Sequence, residues 1–364
     1  MKNQTLKALI LAGLALALTA CGEKDVQSNA DVATQKTYKW KLVTSWPKNF
    51  PGLGMGPEKF ARHVNAMSNG RLTIEVFGAG QLVPGFQVFD EVSTGGAQMG
   101  HSGAYYWKGK APAASFFAAV PFGMNVQETN AWLHYGGGLE LWRELYKPFG
   151  IIPMAGGNTG VQFSGWFNKE INTIEDLDGL KMRIGGIGGE VFKRAGGVPV
   201  NMPGGEIFSS LQSGALDASE WVGPYNDNAF GFYKAAKYYY SSGWQEPQAT
   251  LEFLINEQAF NELPADLQQI VTVAARAVNQ DMLDEYTARN ANALKTLVNE
   301  HKVQVRTFPE PVMAELKKLS NDVIADMAKQ DPMVAKVWES YQRFYQDIRE
   351  YHKISEQAYY LNRE

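Results

Sequence analysis

Three polar side chains interrupt otherwise apolar runs, and their types fit the binding of a small acid together with a cation. They are Gln162 in Val-Gln-Phe, Arg183 in Lys-Met-Arg-Ile and Glu220 in Ser-Glu-Trp-Val. A guanidinium holds a carboxylate through two parallel charge-assisted hydrogen bonds, each contributing about 1.5–3 kcal/mol. Carboxylate and amide oxygens are hard ligands of the kind that Na⁺, Ca²⁺ and Mg²⁺ prefer. Each residue alone is also consistent with a solvated strand end, and residue types alone do not join the three into one site.

Enzyme signatures do not appear in the sequence. It has no HExxH or GxSxG pattern, and its five histidines stand singly. The glycine-rich run Gly185–Gly189 lies between a predicted strand and a predicted helix, as a dinucleotide-binding loop does, but Val191 stands where the third glycine of GxGxxG belongs. We interpret this run as a flexible turn whose amides can face an anion, and we expect no nucleotide cofactor.

Composition and charge narrow the class of protein. The 364 residues are 45% hydrophobic and 20% charged, which suits an ordered protein with two cores. The chain has 34 basic and 38 acidic residues, so no basic surface for nucleic acid is expected. The single cysteine excludes an internal disulfide and a CxxC metal or redox site.

The N-terminus has the pattern of an export signal. Two lysines precede the uncharged run Ala8–Ala20, which is too short to span a bilayer because that takes about 20 apolar residues. Leu18-Thr19-Ala20-Cys21 resembles the bacterial lipobox, in which the cysteine is lipidated; the alternative is an ordinary signal peptide with an incidental cysteine. We predict a lipoprotein signal peptide over 1–20, lipidation of Cys21, a flexible tether over 21–37 and a periplasmic, membrane-anchored protein, in a compartment that lacks ATP and NAD.

From residue 38 onward the chain alternates β-type and helical segments. Strands are predicted at Tyr38–Thr44, Leu72–Phe77, Ile151–Ala155, Val161–Phe167, Lys181–Ile184, Val198–Met202 and Glu252–Asn256. Helices are predicted at Glu58–Met67, Gly85–Thr94, Glu128–Tyr146, Glu190–Ala195, Gly205–Ser213, Asn228–Ala236, Pro264–Glu300 and Glu310–Lys329. This alternation predicts an α/β fold with largely parallel sheets.

The last segment has the pattern of one long helix. Asp331-Pro332 is a favourable helix start, and neither glycine nor proline follows it. Large apolar residues then recur at helical spacing: Val334, Val337, Trp338, Tyr341, Phe344, Tyr345, Ile348 and Tyr351. This stripe either packs on its own domain or reaches a second subunit, because it is large for the surface of one monomer.

Five stretches of the sequence match one family of transport receptors. They are Leu42–Pro47, Gly156–Gln162, Leu177–Arg183, Gly204–Gly214 and Leu216–Pro224. Over essentially residues 38–364 the chain resembles a solute receptor of the tripartite ATP-independent periplasmic (TRAP) transporters, in the branch for 2-oxo and 2-hydroxy monocarboxylic acids. Asp-Leu-Asp-Gly-Leu-Lys-Met-Arg and Leu-Gln-Ser-Gly-Ala-Leu-Asp-Ala are specific for the family. Glu-Trp followed by Gly-Pro, with Gln162 upstream, is specific for the branch.

The resemblance implies a two-domain hinged periplasmic binding protein with mixed sheets, which closes over its ligand. We place α/β domain I at 38–160 plus 250–290, α/β domain II at 161–249 plus 291–330, and a C-terminal dimerisation helix at 331–364. The resemblance implies that this helix is swapped between the subunits of a homodimer. It also implies a receptor that delivers its ligand to TRAP permease subunits, with an ion gradient supplying the work. Many relatives are freely soluble, so the family does not imply the lipid anchor.

The resemblance also assigns roles to the polar residues. Arg183 matches the family arginine that pairs with the substrate carboxylate. Gln162, Glu220 and the main-chain carbonyl of Trp221 match the cation ligands of the branch, whose acid completes the shell through a carboxylate oxygen and its 2-oxo or 2-hydroxy oxygen. An arginine, a glutamate, a monovalent cation and a carboxylate sum to zero charge, which favours Na⁺ over Ca²⁺.

The ligand predicted from these features is a small 2-oxo monocarboxylate such as pyruvate. The remaining predicted pocket residues are polar or aromatic: Asn158, Trp46, Tyr105, Tyr106 and Phe163. Tyr105 and Tyr106 fit a core or rim position as well. A receptor for another acid (lactate with Ca²⁺, a dicarboxylate or a sugar acid) is an alternative. An anchored envelope enzyme acting on organic acids is the other, and it would require a nucleophile–base pair.

Overall fold

The computed structural model describes residues 36–363, so the predicted signal peptide, Cys21 and most of the tether lie outside the described residues. Within that range the strands are β1 Tyr38–Thr44, β2 Leu72–Phe77, β3 Met99–Gly103, β4 Ile151–Asn158, β5 Gly165–Phe167, β6 Lys181–Arg183, β7 Val198–Val200, β8 Ala218–Ser219, β9 Tyr238–Tyr240, β10 Thr250–Asn256 and β11 Gln304–Arg306. They form a five-stranded sheet and a six-stranded sheet.

The helices lie between and after these strands. They are α1 Met55–Met67, α2 Val88–Ser93, α3 Ser115–Ala118, α4 Val126–Tyr135, α5 Gly138–Tyr146, α6 Gly186–Arg194, α7 Gly204–Gln212, α8 Pro224–Phe230, α9 Glu257–Asn261, α10 Ala265–Asn299, α11 Glu310–Gln330, α12 Pro332–Ile354 and α13 Glu356–Asn362. Short 3₁₀ helices occur at Gly85–Gln87, Ala104–Trp107, Pro112–Ala114, Lys147–Phe149, Ile174–Leu177 and Phe232–Lys234.

Both sheets are mixed, which confirms the fold class that the resemblance implied. The largely parallel sheets predicted from the alternation of strands and helices were wrong, because β10 and β5 each pair antiparallel with both of their neighbours. The first sheet has the order β2-β1-β3-β10-β4, with β1 parallel to β2 and β3 and β10 antiparallel to β3 and β4. The second has the order β11-β9-β5-β8-β6-β7, in which β6 is parallel to β7 and β8 while β5 is antiparallel to β8 and β9. We name the first sheet with α1–α5 lobe I and the second sheet with α6–α8 lobe II.

Burial of apolar side chains explains where the lobes form. In lobe I, Leu42, Val64 and Phe253 lie in one fully buried cluster, which one face of α10 covers with Val271 and Val278. Further along, α10 packs against α8 of lobe II, where the Tyr286 hydroxyl donates to Asn226 Oδ1 at 2.7 Å. The long helix therefore contacts both lobes through the same apolar period of about 3.6 residues.

Several predicted elements have different bounds in the structure. The helix predicted over Glu128–Tyr146 is two helices, because Gly137 takes a left-handed conformation (φ +84°) between α4 and α5. The strand predicted over Val161–Phe167 begins only at Gly165, so Gln162 lies in the loop before β5. Strands β3, β8, β9 and β11 were not predicted at all.

The C-terminal segment forms two helices rather than the one that was predicted. Helix α12 starts at an N-cap in which Asp331 Oδ1 accepts from two amides, at 2.7 and 3.0 Å. The helical conformation is interrupted at Ser355 (φ −108°, ψ −93°), and α13 begins after it. Helix α11 packs against α6 of lobe II, whereas α12 crosses to α4 and α5 of lobe I. There the Tyr341 hydroxyl accepts from the Met124 amide at 2.6 Å, and His352 pairs with Glu128 at 2.6 Å.

The start of the apolar stripe is therefore buried within its own chain, and its far end is not. Val334, Val337 and Tyr341 are buried, whereas Tyr351 and Ile354 are 58% and 79% exposed. The domain boundaries and the helix swap stay predictions. No helix within residues 36–363 combines the length and apolar character that a membrane span needs.

Candidate ligand-binding site

The candidate site lies where the carboxyl ends of strands from both lobes face each other. Arg183 is the last residue of β6, and Glu220 directly follows the parallel strand β8. Gln162 precedes β5, which runs antiparallel to β8, so it reaches the same edge of the sheet. From lobe I, Trp46 follows β1 and Tyr106 follows β3, which are parallel neighbours. Carboxyl ends of strands are the usual ligand-binding edge of α/β sheets.

Arg183 is held by contacts on every side. It is 3% exposed and forms an ion pair with Glu220, while Nε donates to the Met202 carbonyl at 3.4 Å. Its Nη2 donates across the cleft to the Tyr106 hydroxyl at 3.1 Å, and the guanidinium lies 4.9 Å from the ring centre of Trp221. Burial lowers the pKa of Arg183, but Glu220, together with smaller contributions from the two tyrosines and Glu246, outweighs burial, so the pKa is raised. The side chain therefore carries a fixed positive charge in the cleft.

Glu220 reaches this position because β5 approaches the end of β8 very closely. A Cβ on Gly165 (φ +112°) would lie 2.4 Å from the Ser219 carbonyl oxygen, so only glycine fits there. Burial raises the pKa of Glu220, and Arg183 and the Gly185 amide offset only part of that rise. The carboxylate thus has a cation partner and an amide donor before any ligand enters.

Gln162 carries an amide oxygen with no hydrogen-bond partner. The residue is 1% exposed, its Nε2 donates to Thr159 Oγ1 at 3.2 Å, and its Oε1 is buried without a donor. An unsatisfied buried oxygen normally lowers stability by about 1–3 kcal/mol. Gln245, whose Nε2 donates to the Phe163 carbonyl at 2.9 Å, likewise has a buried and unpaired Oε1. Acceptor oxygens left over in a closed cleft fit a hard cation or the donor group of a ligand.

Two tryptophans contact each other across the cleft. The rings of Trp46 (lobe I) and Trp221 (lobe II) are 6.1 Å apart and nearly perpendicular. The indole nitrogen of Trp46 donates to His101 Nδ1 at 2.8 Å, whereas the indole nitrogen of Trp221 is buried without a partner. Gly204 makes room for Trp221, since a Cβ there would lie 2.5 Å from its ring. The cleft is therefore shut and partly apolar.

Tyr105 and Tyr106 belong to the 3₁₀ helix that follows β3. Burial raises the pKa of Tyr106, so its hydroxyl stays protonated beside Arg183. Tyr105 packs edge to face on Tyr106 at 4.6 Å and lies against Gly186 at the start of α6. A cavity of about 240 Å³ opens here between the lobes, lined by both tyrosines, Gly185, Gly186, Glu190 and Asn201 among others.

Asn158 and His101 lie deeper in lobe I. The Asn158 amide donates to Gln248 Oε1 at 2.6 Å and to Thr250 Oγ1 at 3.1 Å, and its oxygen accepts from the Gly160 amide at 2.9 Å. Its polar atoms are therefore engaged within the sheet, whereas Arg183, Glu220 and Gln162 meet in the cleft. His101 is fully buried with both ring nitrogens hydrogen-bonded, and burial lowers its pKa to about 4.

Sequence reasoning missed a second buried carboxyl. Glu246 lies in the loop between β9 and β10, 6% exposed, and its carbonyl accepts from the Gln162 amide at 3.2 Å. Burial raises the pKa of Glu246 well above its usual value, and the nearby Glu220 raises it further. The only sequence signal was a polar Gln-Glu-Pro-Gln run in a long loop, and its burial could not be inferred from spacing.

Glu246 changes the charge count of the site. With Glu246 protonated, the sum for Arg183, Glu220, a monovalent cation and a carboxylate stays at zero. With Glu246 ionised, a divalent cation restores zero. Residues 36–363 contain no cluster of three or more His, Cys, Asp and Glu suited to a metal, so a cation here depends on amide and main-chain oxygens as well. Such a ligand set fits Na⁺ and Ca²⁺ better than a transition metal.

A surface cavity of about 870 Å³ lies outside lobe I, against β4 and α10, and shares no residue with the cleft. In the candidate site, the strand ends of two lobes face each other around a buried guanidinium, a carboxylate and unpaired amide oxygens. This arrangement defines a solute-binding protein of the two-lobed class. The chain belongs to the family described as bacterial extracellular solute-binding protein, family 7, whose model matches residues 42–331. This match confirms the resemblance to TRAP solute receptors.

Individual relatives are similar over nearly the whole chain. The chain is 40% identical to a monocarboxylate 2-oxoacid-binding periplasmic protein of Nostoc sp., over 98% of this chain and 97% of that protein. It superimposes on the crystal structure of a TRAP periplasmic solute-binding protein from Pseudoalteromonas atlantica with bound sodium and pyruvate (TM-score 0.88, 45% identity, covering 90% of this chain and 99% of that one). A receptor from Colwellia psychrerythraea with bound calcium and pyruvate gives TM-score 0.88 and 44% identity, covering 90% and 100%.

Proposed function

We propose that this protein is an extracytoplasmic receptor that binds a small 2-oxo monocarboxylate, pyruvate or a close analogue, together with one cation. Arg183 grips the carboxylate of the ligand. Gln162 Oε1, Glu220 and the Trp221 carbonyl hold the cation, which the ligand chelates through a carboxylate oxygen and its 2-oxo oxygen. The loaded receptor then delivers the acid to TRAP permease subunits in the membrane.

The buried pair Arg183–Glu220, with the unpaired Gln162 oxygen at the same strand edge, carries this proposal. A second carboxylate beside the neutral Arg183–Glu220 pair would bury a net negative charge, which is costly unless a further positive charge enters. A cation beside Glu220 supplies that charge and frees part of the guanidinium for the ligand. Acids without a 2-oxygen lose one cation ligand and therefore bind more weakly. The two related receptors with bound pyruvate, one holding sodium and one calcium, support the same pairing of acid and cation.

We propose that the cleft binds its ligand without catalysing a reaction, as in the receptor family to which the chain belongs. His101, which is buried behind Trp46 in lobe I, has both nitrogens in hydrogen bonds to Trp46 and the Gly156 carbonyl, and its lowered pKa keeps it neutral. It therefore cannot act as a general base without breaking the wall of the site. We propose that no bond of the ligand is made or broken; incubation with pyruvate followed by NMR tests this directly, because any turnover would contradict it.

Calorimetric titration with pyruvate tests the binding proposal. In sodium buffer the wild type should bind, and Arg183→Met should lose at least about 100-fold in affinity, because two charge-assisted hydrogen bonds contribute about 3 kcal/mol or more. Arg194→Met is the matched control, since Arg194 is an exposed arginine of the same lobe paired with Asp326. Unchanged affinity in Arg183→Met would refute the assignment. Circular dichroism shows whether the variant, which leaves Glu220 buried without its partner, remains folded.

The cation is tested by exchanging the buffer salt. Pyruvate should bind more weakly in chelator-treated choline buffer than in sodium or calcium buffer, and Gln162→Leu should reduce this difference. The same affinity in all three buffers would remove the cation from the proposal. Leucine keeps the volume of Gln162 and removes the unpaired oxygen, so a loss of cation dependence would report on the oxygen itself.

We further propose that Cys21 carries a lipid anchor and that the C-terminal helices join two subunits. Both rest on sequence patterns, and the exposed Tyr351 and Ile354 support the second. Radiolabelled palmitate should enter the wild type but not Cys21→Ser, which should instead appear in the soluble periplasmic fraction. Labelling of neither protein would leave an ordinary signal peptide as the correct interpretation.

A further inference from the structure

Asp227 is a buried carboxylate whose four hydrogen bonds join the cation-binding loop to the sheet beneath it. It lies on α8 and is 1% exposed. Its Oδ2 accepts from Trp166 Nε1 at 3.0 Å and from the Tyr239 hydroxyl at 2.7 Å, on strands β5 and β9. Its Oδ1 accepts from the amides of Val222 and Gly223 at 3.4 and 3.2 Å. All its acceptor positions are therefore filled by donors, which favours the ionised form although burial raises its pKa to about 7.

The bond to Val222 fixes the direction of a neighbouring carbonyl. The Val222 N–H and the Trp221 C=O belong to one peptide group, which is planar and trans, so the two point in opposite directions. The next carbonyl is fixed as well, because the Phe163 amide donates to the Val222 oxygen at 2.9 Å. Within residues 36–363, no donor is hydrogen-bonded to the Trp221 carbonyl oxygen. Asp227 thus binds the N–H side of the peptide between Trp221 and Val222, whose carbonyl oxygen on the opposite side is free to accept.

We infer that Asp227 is a positioning residue for cation binding: by holding the Val222 and Gly223 amides against β5 and β9, it keeps the Trp221 carbonyl directed into the cleft beside Glu220. This inference rests on the proposed function. Asp227 touches neither ligand nor cation, and its effect passes through the peptide between Trp221 and Val222. The strands that anchor Asp227 lie in the same sheet as Arg183, so the Trp221 carbonyl keeps a fixed position relative to the arginine.

The sodium dependence of pyruvate binding separates this role from a general effect on folding. Asp227→Ala frees the peptide and should raise the sodium concentration for half-maximal pyruvate binding by about tenfold, which corresponds to one lost oriented ligand of about 1.4 kcal/mol. Pyruvate affinity extrapolated to saturating sodium should change less than about threefold. Asp227→Asn retains an oxygen for both amides and should restore a sodium midpoint close to that of the wild type. Asp227→Ser serves as the second loss variant if the alanine variant does not fold.

Tyr239→Phe is the matched control. It removes one donor to Asp227 Oδ2 and leaves the Oδ1 contacts with the loop, so it should lower the melting temperature without moving the sodium midpoint. An unchanged sodium midpoint in folded Asp227→Ala, or an equal loss of pyruvate affinity at every sodium concentration, would overturn the inference. Absence of sodium-dependent pyruvate binding by the wild type would instead overturn the proposed function itself.

Discussion

The hydrogen bond between Arg183 and Tyr106 joins the two lobes, so removing the Tyr106 hydroxyl oxygen tests how the closed form of the cleft is stabilised. Arg183 Nη2 donates to the Tyr106 hydroxyl at 3.1 Å, and the two residues belong to different lobes. Tyr106→Phe removes the hydroxyl and retains the ring contacts with Trp46 and Phe86, at 6.1 and 4.7 Å. The substitution therefore weakens the closed state while leaving the open state essentially unchanged.

The size of the effect follows from the charge on the donor. Hydrogen bonds to charged groups contribute about 1.5–3 kcal/mol, and the lower end applies because Tyr106 is only half-buried and Arg183 keeps its pairing with Glu220. A closure equilibrium weakened by about 1.5 kcal/mol raises the apparent Kd for pyruvate by about tenfold.

Calorimetry measures that Kd, and small-angle scattering measures closure as the pyruvate concentration rises. Tyr106→Phe should need about tenfold more pyruvate to reach the same radius of gyration as the wild type. The control is Tyr146→Phe, because Tyr146 donates to Glu252 at 2.9 Å inside lobe I and should affect only the melting temperature. A wild-type Kd for Tyr106→Phe, or a raised Kd with closure unchanged, would show that this bond does not hold the lobes together.

Three further predictions concern the interlobe ion pair, a buried acid and the C-terminus. Lys108 pairs with Glu190 across the lobes, but both are partly exposed, so Lys108→Met should raise the pyruvate Kd by no more than about fivefold, an effect that choline chloride at constant sodium should abolish. Burial raises the pKa of Glu252 to about 8, so the fold favours the protonated form, and the wild type loses stability as the pH rises from about 4.5 to about 8. Glu252→Gln cannot ionise, so its melting temperature should rise relative to that of the wild type across this pH range. A difference in melting temperature that stays constant with pH would contradict this prediction. Ile354→Asp should give monomers in sedimentation while the exposed Gln357→Glu does not, and monomeric wild type would remove the dimer proposal.

The sequence was sufficient for the fold class and for the elements with clear periodicity. Strands β1 and β2 have their predicted bounds, because alternating apolar residues specify one buried face. Strand β3, Met99–Gly103, was missed because its glycine, serine and histidine lack β propensity; pairing with β1 and β10 on either side makes it a strand. The break at Ser355 has no glycine or proline to signal it.

The site was predictable only where family motifs exist. Arg183, Glu220 and Gln162 lie far apart in the sequence, and no spacing rule brings them together; neighbouring strand ends do. Glu246 was missed because a glutamate in a loop is normally solvated, whereas this loop is hydrogen-bonded to the Gln162 backbone and the side chain is buried. Asp227 was missed for a similar reason, since its donors are contributed by two distant strands and by the turn that precedes its own helix.

The two indoles that meet across the cleft give the protein an optical signal of its own. Trp46 and Trp221 lie on opposite lobes with ring centres 6.1 Å apart, so separation of the lobes would expose both rings to water at once. Indole emission shifts to longer wavelength when water surrounds the ring, and uptake of the acid can therefore be followed in unlabelled protein. Replacing Trp46 by phenylalanine would remove much of this shift in emission wavelength. Its loss would show that the shift comes from this pair among the nine tryptophans of the chain.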